Sequence, residues 1–539
     1  MGMTAMRSGR KGIWWVLLAV SGMVGLGYVV YIRWYRPWQQ RQQALQLIEE
    51  AQQLLPALEN EWSRNALLAW VAGTQAAARL FEQAFQTALK TDFRDDAIRR
   101  IARIPGALQH LEEMLQVAHE IEHVSQRAFA LQEIAVALAE AGRFEQALQI
   151  SRGIESAFNR AIALSEIVTA LIKAGRLQQA LQTAREVEDA DLRAHALRCV
   201  AVAQQRAGRK SAARQIILEA LQTARQIEAA RSRAIALQRI ATTLWRMGLQ
   251  AEGQQAFREA LLAVDEVVEV NDRTILEFML YAWAKVGNLS ASLQIARSQE
   301  TPYVRARALM GIASYLLEAG RFQEARSVIL EIEEPFLKEL MLRYLVESLA
   351  EAEQLSEALA VTHQIKNDTM HYIALAKIIR AKAKAGNFQE AQDLARQFSD
   401  PRRRASAISI VALAKAEAGR FEEALQLARE IELDFWRAFT LSDIAVMMAK
   451  NGHFQEAIQV AKGVQNVFSW DVALEEIALA QVKAGRLREA WQTVLEINDL
   501  EERVRTLLSM AEVLLGVEQE EIVLTDCPES EPESESDGK

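Results

Sequence analysis

The stretch Ala418-Gly419-Arg420-Phe421-Glu422-Glu423-Ala424-Leu425 decides the fold, because versions of it recur along most of the chain. Its marker position is filled by Gly142, Gly175, Gly208, Gly248, Gly287, Gly320, Glu353, Gly386, Gly419, Gly452 and Gly485, 33 residues apart except for intervals of 40 and 39 around Gly248. A fixed period in this range is the mark of a repeat array. Around each marker the apolar residues keep helical spacing. Ala405, Ile408, Val411, Ala412 and Ala416 come before Gly419, and Phe421, Ala424, Leu427, Ala428 and Ile431 after it. Each unit therefore reads as two antiparallel helices, with the glycine supplying the positive φ that ends the first. Alanine recurs seven residues before the marker (Ala135, Ala412, Ala478) and five after it (Ala147, Ala424, Ala490), small enough for the paired helices to close on each other. The seven extra residues after Gly208 are expected to lengthen a second helix through Ile216, Ile217, Leu221 and Ala224 by about two turns, which keeps its apolar face in register. The six extra after Gly248 fit that face less well, and a ridge or bend is expected near 210–270.

In Ala412, Gly419 and Ala424 the unit resembles the tetratricopeptide repeat. The resemblance covers roughly 94–515 and implies a right-handed superhelix whose groove binds other proteins or peptides. Two departures stand out. The first-helix aromatic of that family is mostly replaced here, as at Leu138, Leu171, Leu316 and Leu349, and its closing proline survives only in shifted form as Pro302, Pro335 and Pro401. The expected fold is all-α, an α/α superhelical solenoid of about eleven to twelve helix-turn-helix repeats with one N-terminal transmembrane helix.

That transmembrane expectation rests on residues 12–32, twenty-one residues without a charge, enough to cross a bilayer core of about 30 Å. Trp14, Trp15, Tyr31, Trp34, Tyr35 and Trp38 flank the run as interfacial belts. Residues 1–11 form a short tail before it. Basic residues are nearly balanced across the span, with Arg7, Arg10 and Lys11 against Arg33, Arg36 and Arg41. The small difference, with the amino terminus, favours a single-pass protein of the plasma (inner) membrane whose repeats lie on the extracytoplasmic side. Ser21 and Gly25 form a small-xxx-small pair of the kind that supports helix dimers, so homo-oligomerisation through the span is one expectation. Residues 39–93 are helical in pattern and read as a linker or capping region, because terminal units of an array lack one neighbour.

The formal charge is −9, but nine acids against one lysine in 518–539 account for −8 of it and leave −1 for residues 1–517. A balanced array without a basic stripe argues against nucleic acid as a partner. The acidic tail is too polar to order itself; its expected role is solubility, with a docking peptide as the alternative. With 2 cysteines, Cys199 and Cys527, there is neither a disulfide framework nor a CxxC metal pattern.

Two constellations bear on chemistry. His119-Glu120-Ile121-Glu122-His123 satisfies HExxH, in which two histidines one helical turn apart hold zinc and the glutamate activates water. The repeat, however, places Ile154 and Glu155 at the positions of Ile121 and Glu122, and the nearest further histidines, His110 and His195, offer no third ligand. A zinc-dependent hydrolase built on His119, Glu120 and His123 is thus the alternative reading, and the expectation is no cofactor, no metal and no enzyme. The second constellation is a ladder in which Glu122, Glu155, Glu188, Glu228, Glu300, Glu333 and Glu432 each precede a base by five residues: Arg127, Arg160, Arg193, Arg233, Arg305, Lys338 and Arg437. It reads either as a grip for acidic peptides or phosphate, or as an ion pair repeated across each inter-unit turn. Phe144, Phe322, Phe388, Phe421 and Phe454, each opening a second helix, are expected in the core. No nucleophile elbow, P-loop or dinucleotide fingerprint occurs; the Gly22, Gly25, Gly27 cluster lies in the apolar span. The functional expectation is a membrane-anchored scaffold or adaptor for protein–protein interaction, with a purely structural spacer as the remaining alternative.

Overall fold

The computed structural model describes residues 36–266, 275–464 and 467–517, all helix and turn. The apolar span 12–32 and the acidic tail 518–539 lie outside the described residues; among those described, no helix is long and apolar enough to cross a membrane.

The unit is seen cleanly in Pro401–Glu417 followed by Phe421–Arg429, helices of 17 and 9 residues. Asp400 caps the first helix by accepting from the backbone N–H of Arg402 and Arg403. Pro401 occupies the first helical position, where its missing N–H costs nothing. The same site holds Pro302 and Pro335, which explains the shifted prolines. The helix ends in a Schellman motif: Gly419 N–H donates to the Ala416 carbonyl at 2.9 Å and Arg420 N–H to that of Lys415 at 2.9 Å, with Gly419 at φ 74°. In one unit Glu353 takes this place at φ 60°, forced left-handed by the same hydrogen bonds.

The alanines meet the expectation placed on them. Ala135, Ala412 and Ala478 before the marker and Ala147, Ala424 and Ala490 after it are all 0% exposed. Both long intervals enter the second helices, Lys210–Arg225 and Gln250–Asp265, each 16 residues against the usual 9, and Ile216, Ile217, Leu221 and Ala224 are buried along the first of them.

The described residues fall into two compact units, 36–120 with 449–458 and 470–517, and 121–448 with 459–464 and 467–469. In the first, Arg36–Leu54 packs against Leu500–Leu515, so residues from opposite ends of the sequence share one core. Leu47 and Ala51 on one helix and Leu508 and Ala511 on the other are fully buried. Trp70 Nε1 donates to Glu512 Oε1 at 2.5 Å, and Arg100 lies over the Trp70 ring at 5.4 Å. The helices of 39–93, expected to end the array bare on one side, have that side covered by Leu500–Leu515. The second unit carries most of the regular repeats.

Replacing Glu353 by glycine removes a left-handed backbone penalty of about 1 kcal/mol. Glu353→Gly is expected to slow hydrogen exchange in the helices Pro335–Glu351 and Leu355–Thr362; unchanged or faster exchange would show that the position is not strained.

Candidate interaction surface

The arginine ladder is built differently from the five-residue ion pair read in the sequence. Each arginine sits in the first turn of a first helix and reaches back to the end of the preceding second helix. Arg127 Nη1 donates to the Ile121 carbonyl at 2.9 Å, Arg160 to Ile154 at 2.6 Å, Arg193 to Val187 at 2.9 Å, Arg233 to Ile227 at 2.7 Å, Arg305 to Gln299 at 2.7 Å and Arg437 to Ile431 at 2.8 Å. What Glu122, Glu188, Glu228 and Glu432 give the arginine five residues later is a backbone carbonyl. The carboxylates pair one unit further back: Glu155 with Arg127 at 3.1 Å, Glu188 with Arg160 at 2.8 Å, and Glu333 with Arg305 at 2.9 Å. The guanidinium thus clips three successive elements with a fork that lysine lacks. Sequence reading missed Arg404 and Arg503, which hold the carbonyls of Phe398 and Ile497 in the same way, because Ser399 and Asn498 stand where the glutamate was sought. The usable signal was a basic residue six positions after the apolar residue that closes a second helix.

A second ladder runs along the ends of the second helices, 34 residues per step. Arg152 meets Glu186 at 2.8 Å, Arg185 meets Glu219 at 2.7 Å, Arg225 meets Glu259 at 2.8 Å and Arg297 meets Glu331 at 2.7 Å, all through two guanidinium nitrogens. These arginines are about half exposed, so each pair contributes about 0 to 1 kcal/mol. The recurring phenylalanines are less buried than expected. Phe144 and Phe454 are buried, while Phe322, Phe388 and Phe421 are intermediate. Their rings serve as platforms, with Arg176 over Phe144 at 4.9 Å, Arg420 over Phe388 at 5.1 Å and Arg486 over Phe454 at 5.0 Å, so that each arginine following a marker glycine rests on the previous unit.

With these cations engaged between units, the large side chains left facing solvent stand out. Phe158 (67% exposed), Tyr303 (37%), Phe336 (57%) and Phe435 (62%) occupy one position, the second residue of the first helix, 17 residues before the marker. Phe439, also exposed, extends the last of them, with Trp436 edge-on to both Phe435 and Phe439 at 6.1 and 6.4 Å. The sequence reading passed over this register because it looked for an aromatic deeper in the helix. Charge on the first helices is partly withdrawn from water. Burial and the repulsion of Glu140 and Glu133 raise the Glu166 carboxyl, and burial raises that of Glu277 although Arg307 is 2.8 Å away.

The HExxH stretch does not lie on one helix. His119 is the last residue of Leu111–His119, residues 120–122 form the turn, and His123 is the N-cap of Val124–Glu140, so the two histidines are not one turn apart on a common face. The inter-unit turn, set by the repeat, breaks the helix within the motif. Ile121 is buried while His119, Glu120 and His123 are exposed, and no cluster of three metal-ligating side chains occurs among the described residues.

No protein-family model and no curated protein matches this chain. Solved structures do. The chain is similar to Ton1535 from Thermococcus onnurineus NA1 at 17% identity, over 64% of this chain and 98% of that one, with a TM-score of 0.24. It is similar to the TPR domain of P58(IPK) at 18% identity, over 67% and 99%, with a TM-score of 0.16, and to the APC/C hetero-tetramer Cut9–Hcn1 at 13% identity, over 78% and 96%, with a TM-score of 0.20. The assignment as a helical-repeat protein of tetratricopeptide type rests on the helix pairs themselves.

Arg305→Ala strands the Gln299 carbonyl and is expected to cost about 1 to 3 kcal/mol in urea unfolding. Glu333→Ala, which removes only the exposed partner, is expected to cost under about 1 kcal/mol; equal costs would count against the capping role. Because the ionised form of Glu166 is disfavoured in the fold, its penalty is present above the raised folded pKa and absent below the unfolded value. Glu166→Gln should therefore stabilise the protein at neutral pH, with the gain disappearing towards pH 4; a gain independent of pH would remove the electrostatic explanation.

Proposed function

We propose that the chain is a helical-repeat scaffold that binds other proteins, tethered to a membrane through residues 12–32. The observation that carries the binding reading is the repeated exposure of Phe158, Tyr303, Phe336 and Phe435 at one helix position. Large apolar side chains presented in register on rigid helices suit a partner that buries them, because exposed apolar surface of this kind marks association sites. The tether rests on the sequence alone: an uncharged run of 21 residues between aromatic belts. The weak excess of positive charge on its amino-terminal side orients the repeats outside the cytoplasm, at the plasma membrane. A spacer without a partner would have no use for aromatic side chains in water. Neither the two exposed histidines nor their split geometry supports the hydrolase reading.

The test uses the full chain extracted from native membranes. Partners captured by the wild type and identified by mass spectrometry are expected to fall about tenfold when Phe336, Phe435 and Phe439 are changed together to alanine, about 1.4 kcal/mol in binding, with helicity and melting unchanged. Equal capture by the folded triple variant would sink the aromatic surface as the binding site.

A further inference from the structure

The helices Ala190–Arg206 and Ala230–Arg246 are first helices of successive units and lie side by side. Setting aside Arg193 and Arg233, which cap the helices before them, their charged residues are Arg198, Arg206, Arg231, Arg239 and Arg246 against Asp191 alone. Arg206 and Arg246 each close their helix, and Arg239 holds the position that Cys199 holds one unit earlier. Arg206, Arg231, Arg239 and Arg246 are exposed, while Arg198 and Cys199 are recessed at 4% and 5%. His195 Nε2 lies 3.6 Å from the Cys199 sulfur. Asp191 is within electrostatic reach of Arg239 and is held above the usual carboxylate range by burial and by Asp189. The helix before this pair carries Glu166 and Lys173, and the described helix after it carries Glu277, paired with Arg307 at 2.8 Å. A comparable number of bases occurs on 368–417, but there Lys377, Lys382, Lys415 and Arg404 already meet Glu347, Glu390, Glu423 and Glu432.

We propose that this basic face is a docking site for an extended acidic peptide and that its occupant is the chain's own tail, residues 518–539. Glu529, Glu531, Glu533, Glu535 and Asp537 alternate with uncharged residues, so an extended chain presents all five along one edge. Every second one of these acids recurs at about 13 Å. Arg198 and Arg206, like Arg231 and Arg239, are eight residues apart on a helix, about 12 Å, so carboxylates and guanidinium groups fall into step. The thiols supply the register. The protein has 2 cysteines; Cys199 sits within the basic face and Cys527 stands two residues before the acidic run. Docking brings the two sulfurs together. The inference does not depend on the aromatic surface, and a foreign partner with an acidic segment would compete with the tail.

The full-length protein, reduced and then treated with diamide, tests it; the two thiols become one disulfide and their two hydrogens pass to diamide. The expected product is an intrachain Cys199–Cys527 link, identified by peptide mass, forming about tenfold faster at about 50 mM than at about 500 mM salt. Changing the four tail glutamates to glutamine and Asp537→Asn, which leaves the helices untouched, is expected to slow it about tenfold at low salt by removing the attraction that salt screens. Arg239→Gln with Arg246→Gln should act likewise. Links only between chains, a rate indifferent to salt, or an unchanged rate in the neutralised tail would each overturn the proposal.

Discussion

The constraint on which the repeats depend is the short turn between units. A nine-residue second helix ends with carbonyls that no later N–H of its own can reach, and only four residues separate Arg429 from Asp434, where the next helix begins. A turn this tight leaves no room for a helical continuation to satisfy them. The donor comes instead from an arginine one turn into the following helix, 17 to 24% exposed in Arg127, Arg160, Arg233 and Arg305 and therefore largely removed from competition with water. The angle at which one unit follows another is set by the reach of that side chain, and the alanine contacts then have only one way to close.

This arrangement changes how an abundance of charge is read. Arginines at fixed spacing suggest a ligand grip, yet in this chain they face inwards to backbone, to the next glutamate or to a phenylalanine ring. Recognition is left to what the ladders do not consume: aromatic side chains at the start of first helices and a local excess of arginine on two neighbouring ones.

Much of the unit was legible in the residues, since Gly419, Ala412 and Ala424 are each dictated by short-range geometry that a 33-residue comparison exposes. The extra turns in Lys210–Arg225 were readable for the same reason. The contacts between units were not. Whether the carboxylate of Glu155 faces Arg160, five residues on, or Arg127, 28 residues before, depends on how units stack, which spacing along the chain does not encode. The HExxH motif misled because a local pattern was matched without its helix: the repeat had already assigned a turn to residues 120–122. The aromatic register was visible in principle, as four residues 17 before a marker, but becomes meaningful only when those side chains are seen to stay exposed.

The packing of Arg36–Leu54 against Leu500–Leu515 bears on how the protein is made. Most contacts in a repeat array are local and form as the chain emerges, but this one joins residues more than 400 apart, as Trp70 and Glu512 are by 442. Until the last helix leaves the ribosome, Leu47, Ile48 and Ala51 have no complete core to enter, and their apolar surface is left for chaperones to cover. The compact unit they belong to is completed last, although it begins first.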